Sequence, residues 1–444
     1  MAWTKEQQLA IDQRDKNILV AAAAGSGKTA VLVERIKKLV IEEGVPIDRM
    51  LIVTFTNAAA AEMKEKIRKA LIEEIDKAPE QAGKLREQLA LLARANISTF
   101  HAFALDVIRR FFYQAEIEPG FSICDDAQRT ILKEDAMDLL LENWFAADSE
   151  EFYEFLNWYS GDRNQSKIRA ILEEAYNVLQ SLPYPWQWLD EKIGQLSMNE
   201  EEMKASPLMA YIWDFIEDSA EKALEYAQRS ADLLDEAGLC RMAEKVALEE
   251  LPQYQHIAAL AEQKAFEELG EAAAAFKSLR LTAKKDEKED YALIKEQVAA
   301  CRKKAASLID EMQKTFFLAP LCEQVMEMNK TAPMAKTLQK LLLDFDGIFK
   351  AAKAEKKLVD FNDIEHFCLE ILKEPQAAEF YRNKFQYIFI DEYQDTNILQ
   401  EEIISKIKRE NNLFMVGDIK QSIYKFRLAE PEIFKEKYIS YGKE

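Results

Sequence analysis

Apolar positions along this 444-residue chain follow two different periods, and the period changes twice. Up to about residue 120, short apolar runs alternate with helical patterns. Asn17-Ile18-Leu19-Val20 reads as a strand, followed by a glycine-bearing loop and a helix to about Glu43. Met50 to Phe55 reads as a second strand, with a helix from about Ala58 whose Glu and Lys residues recur at helical spacing. Asn96-Ile97-Ser98 is a third strand, leading into a helix from Phe100 to about Tyr113. This alternation predicts a doubly wound parallel sheet. From about Asp126 to Glu355 the composition shifts to Ala, Glu, Leu, Lys and Gln with few glycines. Thr130 to Phe145 and Ala205 to Leu234 carry apolar residues at i, i+3, i+4 and i+7, the stripe of an amphipathic helix. Ser181 to Trp186 predicts a helix break, and Lys284 to Asp290 a solvated helix face or loop. The strand pattern returns at Phe385 to Ile390 and at Asn412 to Val416. The simplest architecture is one α/β domain, residues 1–125 and 356–444, interrupted by an all-helical insertion, 126–355.

Composition refines this picture. The chain is 48% hydrophobic and 31% charged, as expected of a globular protein. No apolar run approaches the ~18–20 residues of a membrane span, and the first residues have no leader pattern; a cytoplasmic location without membrane contact is expected. The five cysteines are dispersed with no CxxC pair, and there are three histidines, so neither a disulfide framework nor a His/Cys metal site is expected. A net charge of −20 argues against a nucleic-acid partner until its distribution is considered. Residues 126–355 hold 44 Asp and Glu against 27 Lys and Arg, whereas the remainder holds 35 against 32. The nearly neutral ends leave room for local basic groups to hold a phosphate backbone.

Chemistry concentrates in those ends. Gly25-Ser26-Gly27-Lys28-Thr29 follows a predicted strand and opens a predicted helix, the context of a phosphate loop. Its glycines let backbone N–H groups and the helix N-terminus wrap a phosphate. Lys28 would neutralise β/γ-phosphates, and the Thr29 hydroxyl would ligate Mg²⁺. Ala22 stands where the usual pattern has its first glycine. Asp391-Glu392 ends an apolar strand; a carboxylate there reaches the Mg²⁺ shell, and its neighbour can deprotonate an attacking water. Gln421, just past the next strand, is placed to sense a γ-phosphate.

Jointly these residues resemble the UvrD/Rep/PcrA-type superfamily 1A helicases, and within them most closely the AddA (RexA) subunits of helicase-nucleases. Trp3 to Ile11 resembles the adenine-reading Q motif, with Gln7 as its glutamine. Ala21 to Thr29 resembles motif I, and its alanines Ala21, Ala22, Ala23 and Ala24 before Gly25 are AddA-like. Val53 to Met63 resembles motif Ia, Ser98 to Phe103 motif Ib, Val359 to Ile364 the element where the chain re-enters the motor domain, Ile390 to Asn397 motif II, and Val416 to Arg427 motif III. The matched motifs lie in residues 1–120 and 356–430; the middle matches only in position and helical content. The resemblance implies a RecA-like P-loop NTPase sheet (domain 1A) with a helical insertion (domain 1B). It implies ATP bound by Gln7, Ala22, Ala23, Ala24, Gly25, Ser26, Gly27, Lys28 and Thr29, with Mg²⁺ on Thr29 and Asp391. Catalysis would rest on Lys28, Asp391, Glu392 and Gln421. Phe55, Tyr424 and Phe426 match base-stacking residues, and Thr56, Asn57, His101 and Arg427 match polar strand contacts.

The function so implied is a 3′-to-5′ DNA translocase, the motor portion of an AddA-like helicase-nuclease in double-strand break repair and recombination. It would act on single- and double-stranded DNA with an AddB (RexB)-like second subunit. The sequence ends at Glu444, before the family's 2A and 2B domains and nuclease, so it is expected to be an N-terminal portion that binds nucleotide, hydrolyses it poorly and does not unwind DNA. A stand-alone UvrD/PcrA-like repair helicase is the near alternative. A non-catalytic nucleotide- or DNA-binding segment is the alternative of another class.

Overall fold

The computed structural model describes residues 3–23, 25–115, 117, 120–160, 165–285, 287–418 and 431–442. Ala24, Gln421, Tyr424, Phe426 and Arg427 lie outside these residues.

Five strands form the large sheet: β1 (Ile18–Ala21), β2 (Met50–Thr54), β3 (Asn96–Thr99), β6 (Tyr387–Ile390) and β7 (Leu413–Gly417). Two short strands, β4 (Ser122–Ile123) and β5 (Leu358–Val359), pair with each other. The large sheet runs β1-β7-β6-β2-β3 and every pair is parallel. Parallel neighbours need crossovers: α3 (Asn57–Lys77) and α4 (Ala82–Leu91) join β2 to β3, and the helix Ile398–Ile407 joins β6 to β7, while α1 (Lys5–Asp12) precedes β1, α2 (Lys28–Ile41) lies between β1 and β2, and α5 (Phe100–Phe111) follows β3.

The strands read as unbroken apolar runs because both faces are covered. Leu51, Val53, Ile388, Ile390, Leu413 and Met415 face one core with Phe103, Val107 and Ile108 of α5. Met50, Ile52, Phe389, Phe414 and Val416, their alternates, face the other with Leu32 and Ile36 of α2 and Met63 and Ile67 of α3. Phe385, read from the sequence as the start of a strand, instead terminates the Pro375–Lys384 helix. It is apolar because its ring belongs to the first core. The helix after β2 starts at Asn57 on the cap of Thr56 and stops before Pro79.

The chain divides into two compact units, 1–189 with 337–444, and 190–336. Helices Asp126–Ala147 and Gln165–Gln180 therefore lie in the unit that holds the sheet. There the β4–β5 pair brings the two ends of segment 126–355 side by side, with Cys124 N donating to Val359 O at 2.8 Å. Beside it Lys353, 3% exposed, donates to Asp360 at 2.9 Å and to Asp363 at 2.6 Å. Asp360 also caps the Phe361–Lys373 helix in a reciprocal box with Asp363.

The second unit is all helical among its described residues. Helices Pro207–Glu236 and Lys288–Phe316 share one core, in which Ala220, Ala223, Ala227 and Ala305 permit close approach beside Trp213, Ile309 and Met312. Arg302 and nearly inaccessible Glu250 pair at 2.6 Å within it. No helix among the described residues is long and apolar enough to cross a membrane.

Candidate functional site

The motif residues follow the carboxyl ends of the parallel strands, the edge where open α/β sheets bind ligands. After β1 the chain turns through Gly25 at φ +74° and Gly27 at φ +83°, conformations a Cβ would oppose. Gly27 starts α2, so Lys28 and Thr29 occupy the positive end of a 14-residue helix. The loop is tied to the sheet by Ala22 N donating to Gly417 O at 3.1 Å. Gln7 reaches the same loop: its Nε2 donates to Ser26 O at 2.9 Å, while its Oε1 accepts from Thr4 N as part of the cap on Lys5–Asp12.

Lys28 is the least comfortable group. Its side chain is 10% exposed, its Nζ lies 3.9 Å from Glu392 Oε2, and that nitrogen has no hydrogen-bond partner among the described residues. A buried ammonium whose N–H groups find no acceptor is costly unless an anion completes it. A phosphate on the loop would do so.

Asp391 continues β6, its N–H donating to Val53 O at 2.9 Å. Burial first, then the neighbouring Glu392 charge, pushes its carboxyl up to about 6, against the Glu392 amide and Lys28, which pull it down. A bound cation would hold that carboxylate ionised. Asp391 and Thr29 line one cleft of about 360 Å³ with Phe55, Glu392 and Asp395. Among the described residues no three His, Cys, Asp or Glu side chains converge to cage a metal. Mg²⁺ typically takes one or two carboxylates plus substrate phosphates; of that set the protein side is present here in Asp391, with Thr29 on the same cleft.

Glu392 sits at φ +53°, a conformation unusual for a residue with a side chain. Gln394, 2% exposed, holds it: Nε2 donates to Glu392 Oε2 at 2.8 Å, and Oε1 accepts from Asp418 N at 2.9 Å. One side chain thereby links the ends of β6 and β7. Asp395 is also pushed up to about 6, by burial and then by Glu392, and its Oδ1 is buried without a hydrogen-bond partner. Sequence reasoning assigned no role to Gln394 or Asp395, although only Tyr393 separates them from Asp391-Glu392.

The strand-contact candidates divide. Phe55 is half-buried on the same cleft as Thr29. The Thr56 hydroxyl accepts from Ala59 N at 3.0 Å, so it caps α3, and Asn57 is exposed beside it. His101 stands on α5, with Nε2 3.3 Å from Oε1 of buried Glu365 and its ring edge-on to Phe361. Glu365 was not foreseen, because nothing in sequence spacing relates it to His101.

A family profile described as the UvrD/REP helicase N-terminal domain matches residues 3–441. A protein of Alkaliphilus oremlandii, named as the A subunit of an ATP-dependent helicase/nuclease, is 40% identical over 445 residues, covering all of this chain and 37% of the relative. Proteins of the same name from Alkaliphilus metalliredigens and Bacillus pumilus are 40% and 36% identical over 99% and 98% of this chain, each alignment covering 36% of the relative. The chain thus spans little more than a third of the length of these curated relatives. On a match that runs nearly end to end, the chain belongs to the UvrD/REP helicase family.

Proposed function

We propose that this chain forms the nucleotide-holding part of an ATP-driven DNA translocase, the motor of an AddA-like helicase-nuclease in double-strand break repair. The observation that carries the reading is Lys28: a buried ammonium with no hydrogen-bond partner among the described residues, at the start of α2, beside the cleft of Thr29 and Asp391. In this reading Lys28 and the N–H groups of Gly25 to Thr29 grip the β- and γ-phosphates. Thr29 and Asp391 hold Mg²⁺, which when bound offsets the charge that develops on the transferred phosphoryl group. Glu392, steadied by Gln394, orients and deprotonates water. Gln7 braces the loop from the side where an adenine would lie. Phe55, Thr56, Asn57, His101, Tyr424, Phe426 and Arg427 serve a DNA strand, and Gln421 senses the γ-phosphate. Segment 126–355 is taken as the family's helical insertion, and the whole protein as the partner of an AddB-like protein. This reading is favoured over a stand-alone helicase because relatives named for the helicase/nuclease align along the whole chain, helical segment included.

Titration of the chain with a fluorescent ATP analogue in Mg²⁺ tests this. Lys28→Ala deletes a charge-assisted contact worth about 1.5–3 kcal/mol, so affinity should fall about 10- to 100-fold. Undiminished binding by the variant would overturn the assignment.

A further inference from the structure

Glu365 is a carboxylate closed off from water, 4% exposed, on the helix Phe361–Lys373. Such a group must collect its donors from protein. Gln400 Nε2 donates to its Oε1 at 2.7 Å and Asn397 Nδ2 to its Oε2 at 3.4 Å. His101 Nε2 lies 3.3 Å from Oε1, and it is the one basic side chain within ion-pair distance of Glu365 among the described residues. Three segments distant in sequence meet on this carboxylate. They are α5, which carries His101; the helix that carries Glu365 itself; and the stretch just past Asp391-Glu392, where Asn397 caps the Ile398–Ile407 helix.

We infer that Glu365 is a positioning residue for strand binding: it fixes the His101 ring so that Nδ1 presents to the sugar–phosphate chain of a single DNA strand. The ring has little freedom otherwise to lose. Phe361 abuts it edge-on at 5.1 Å between centroids, and Glu365 Oε1 lies 3.3 Å from Nε2, which puts Nδ1 on the opposite side of the ring from the carboxylate. Through Asn397 and Gln400 the same carboxylate binds this ring to the segment that bears the nucleotide-site acids. The inference rests on the reading of His101 as a strand contact.

The test is a double-mutant cycle on the 444-residue chain, read by fluorescence anisotropy of a labelled oligo-dT, with ATP-analogue affinity measured on every variant as the check of folding. His101→Ala should weaken oligo-dT binding about five-fold or more, Glu365→Gln by a comparable factor, and the double variant no more than His101→Ala alone, since Glu365 acts through the ring. Analogue affinity should stay within about two-fold throughout. If Glu365→Gln fails to bind nucleotide, Glu365→Asp replaces it; withdrawing the carboxylate by one methylene should weaken oligo-dT binding only where His101 is present. If His101→Ala leaves oligo-dT binding intact, the strand-contact reading itself falls, and this inference with it. If His101→Ala weakens binding but the Glu365 variants do not, or if the two effects simply add, the positioning role is wrong while the strand contact stands.

Discussion

Gly417→Ala is the sharpest probe of the link between β6 and β7. A Cβ at this position would lie 2.5 Å from Gln394 Oε1, 2.8 Å from a ring carbon of Phe434 and 3.2 Å from Gln394 N. Both neighbours are at most 3% exposed and have nowhere to retreat. Overpacking of this kind costs about 1–3 kcal/mol. Displacing the Gln394 side chain also removes its bond with Asp418 N, a further loss of about 1 kcal/mol. The total, about 2–4 kcal/mol, should lower the melting temperature by roughly 4–8 °C at about 2 °C per kcal/mol for a large domain. The urea midpoint should fall with the slope unchanged. Because Gln394 steadies Glu392, Mg²⁺-nucleotide affinity should drop as well. Gly347→Ala is the control: it lies in the helix Ala332–Glu355 with no atom within 4 Å of the added Cβ. That change should stabilise by about 0.5–1 kcal/mol. Equal stability of Gly417→Ala and parent, with binding intact, would refute the clamp.

Three other outcomes follow from buried charge. Lys28→Met should weaken Mg²⁺-nucleotide binding about 10- to 100-fold, as Lys28→Ala does, and by removing the cation beside Asp391, Glu392 and Asp395 it should push the Asp391 carboxyl further up; an analogue affinity equal to the parent's would contradict this. Asp391 keeps its proton to about 6 in the fold, against 3.8 ordinarily. Folding therefore takes up a proton between those values, and this group's contribution to stability declines as pH rises through that window. Asp391→Asn should flatten the slope, seen by comparing urea midpoints at about pH 4 and about pH 7, and an unchanged slope would assign it elsewhere. Lys353→Met strands Asp360 and Asp363 in the interior and should cost about 3–5 kcal/mol, partly restored by adding Asp363→Asn; calorimetry of the single and double variants decides.

Much of the fold was legible because burial on both faces leaves a plain mark. Met50 to Thr54 and Leu413 to Gly417 are apolar almost without interruption, and the glycine spacing before Lys28 specified the turn into α2. Strand order was not legible, since a period identifies a strand but not its neighbour. The limits of the compact units were equally hidden: the helical period is the same on either side of Leu189 and Lys336. β4 and β5 are two residues each, too short to show any period. At the site, Lys28 and the Asp391-Glu392 pair were readable as motif residues. Gln394 and Glu365 were not, because their roles lie in distances to Asp418 N and His101 that no local spacing encodes.

The order β1-β7-β6-β2-β3 has a consequence for synthesis. The first three strands emerge early, yet β1 touches neither β2 nor β3; the two strands that join them arrive only after residue 387. Until then β1 lacks the one strand it pairs with among the described residues, and one edge of β2 is unpaired, apolar edges prone to wrong partners. The helical unit 190–336 needs only its own contiguous stretch and can compact while the sheet still waits. The nucleotide cleft, which needs Thr29 from the loop after β1 and Asp391 from the end of β6, can form only once β6 has been made. Nucleotide binding by a nascent chain would therefore report that the whole sheet has closed.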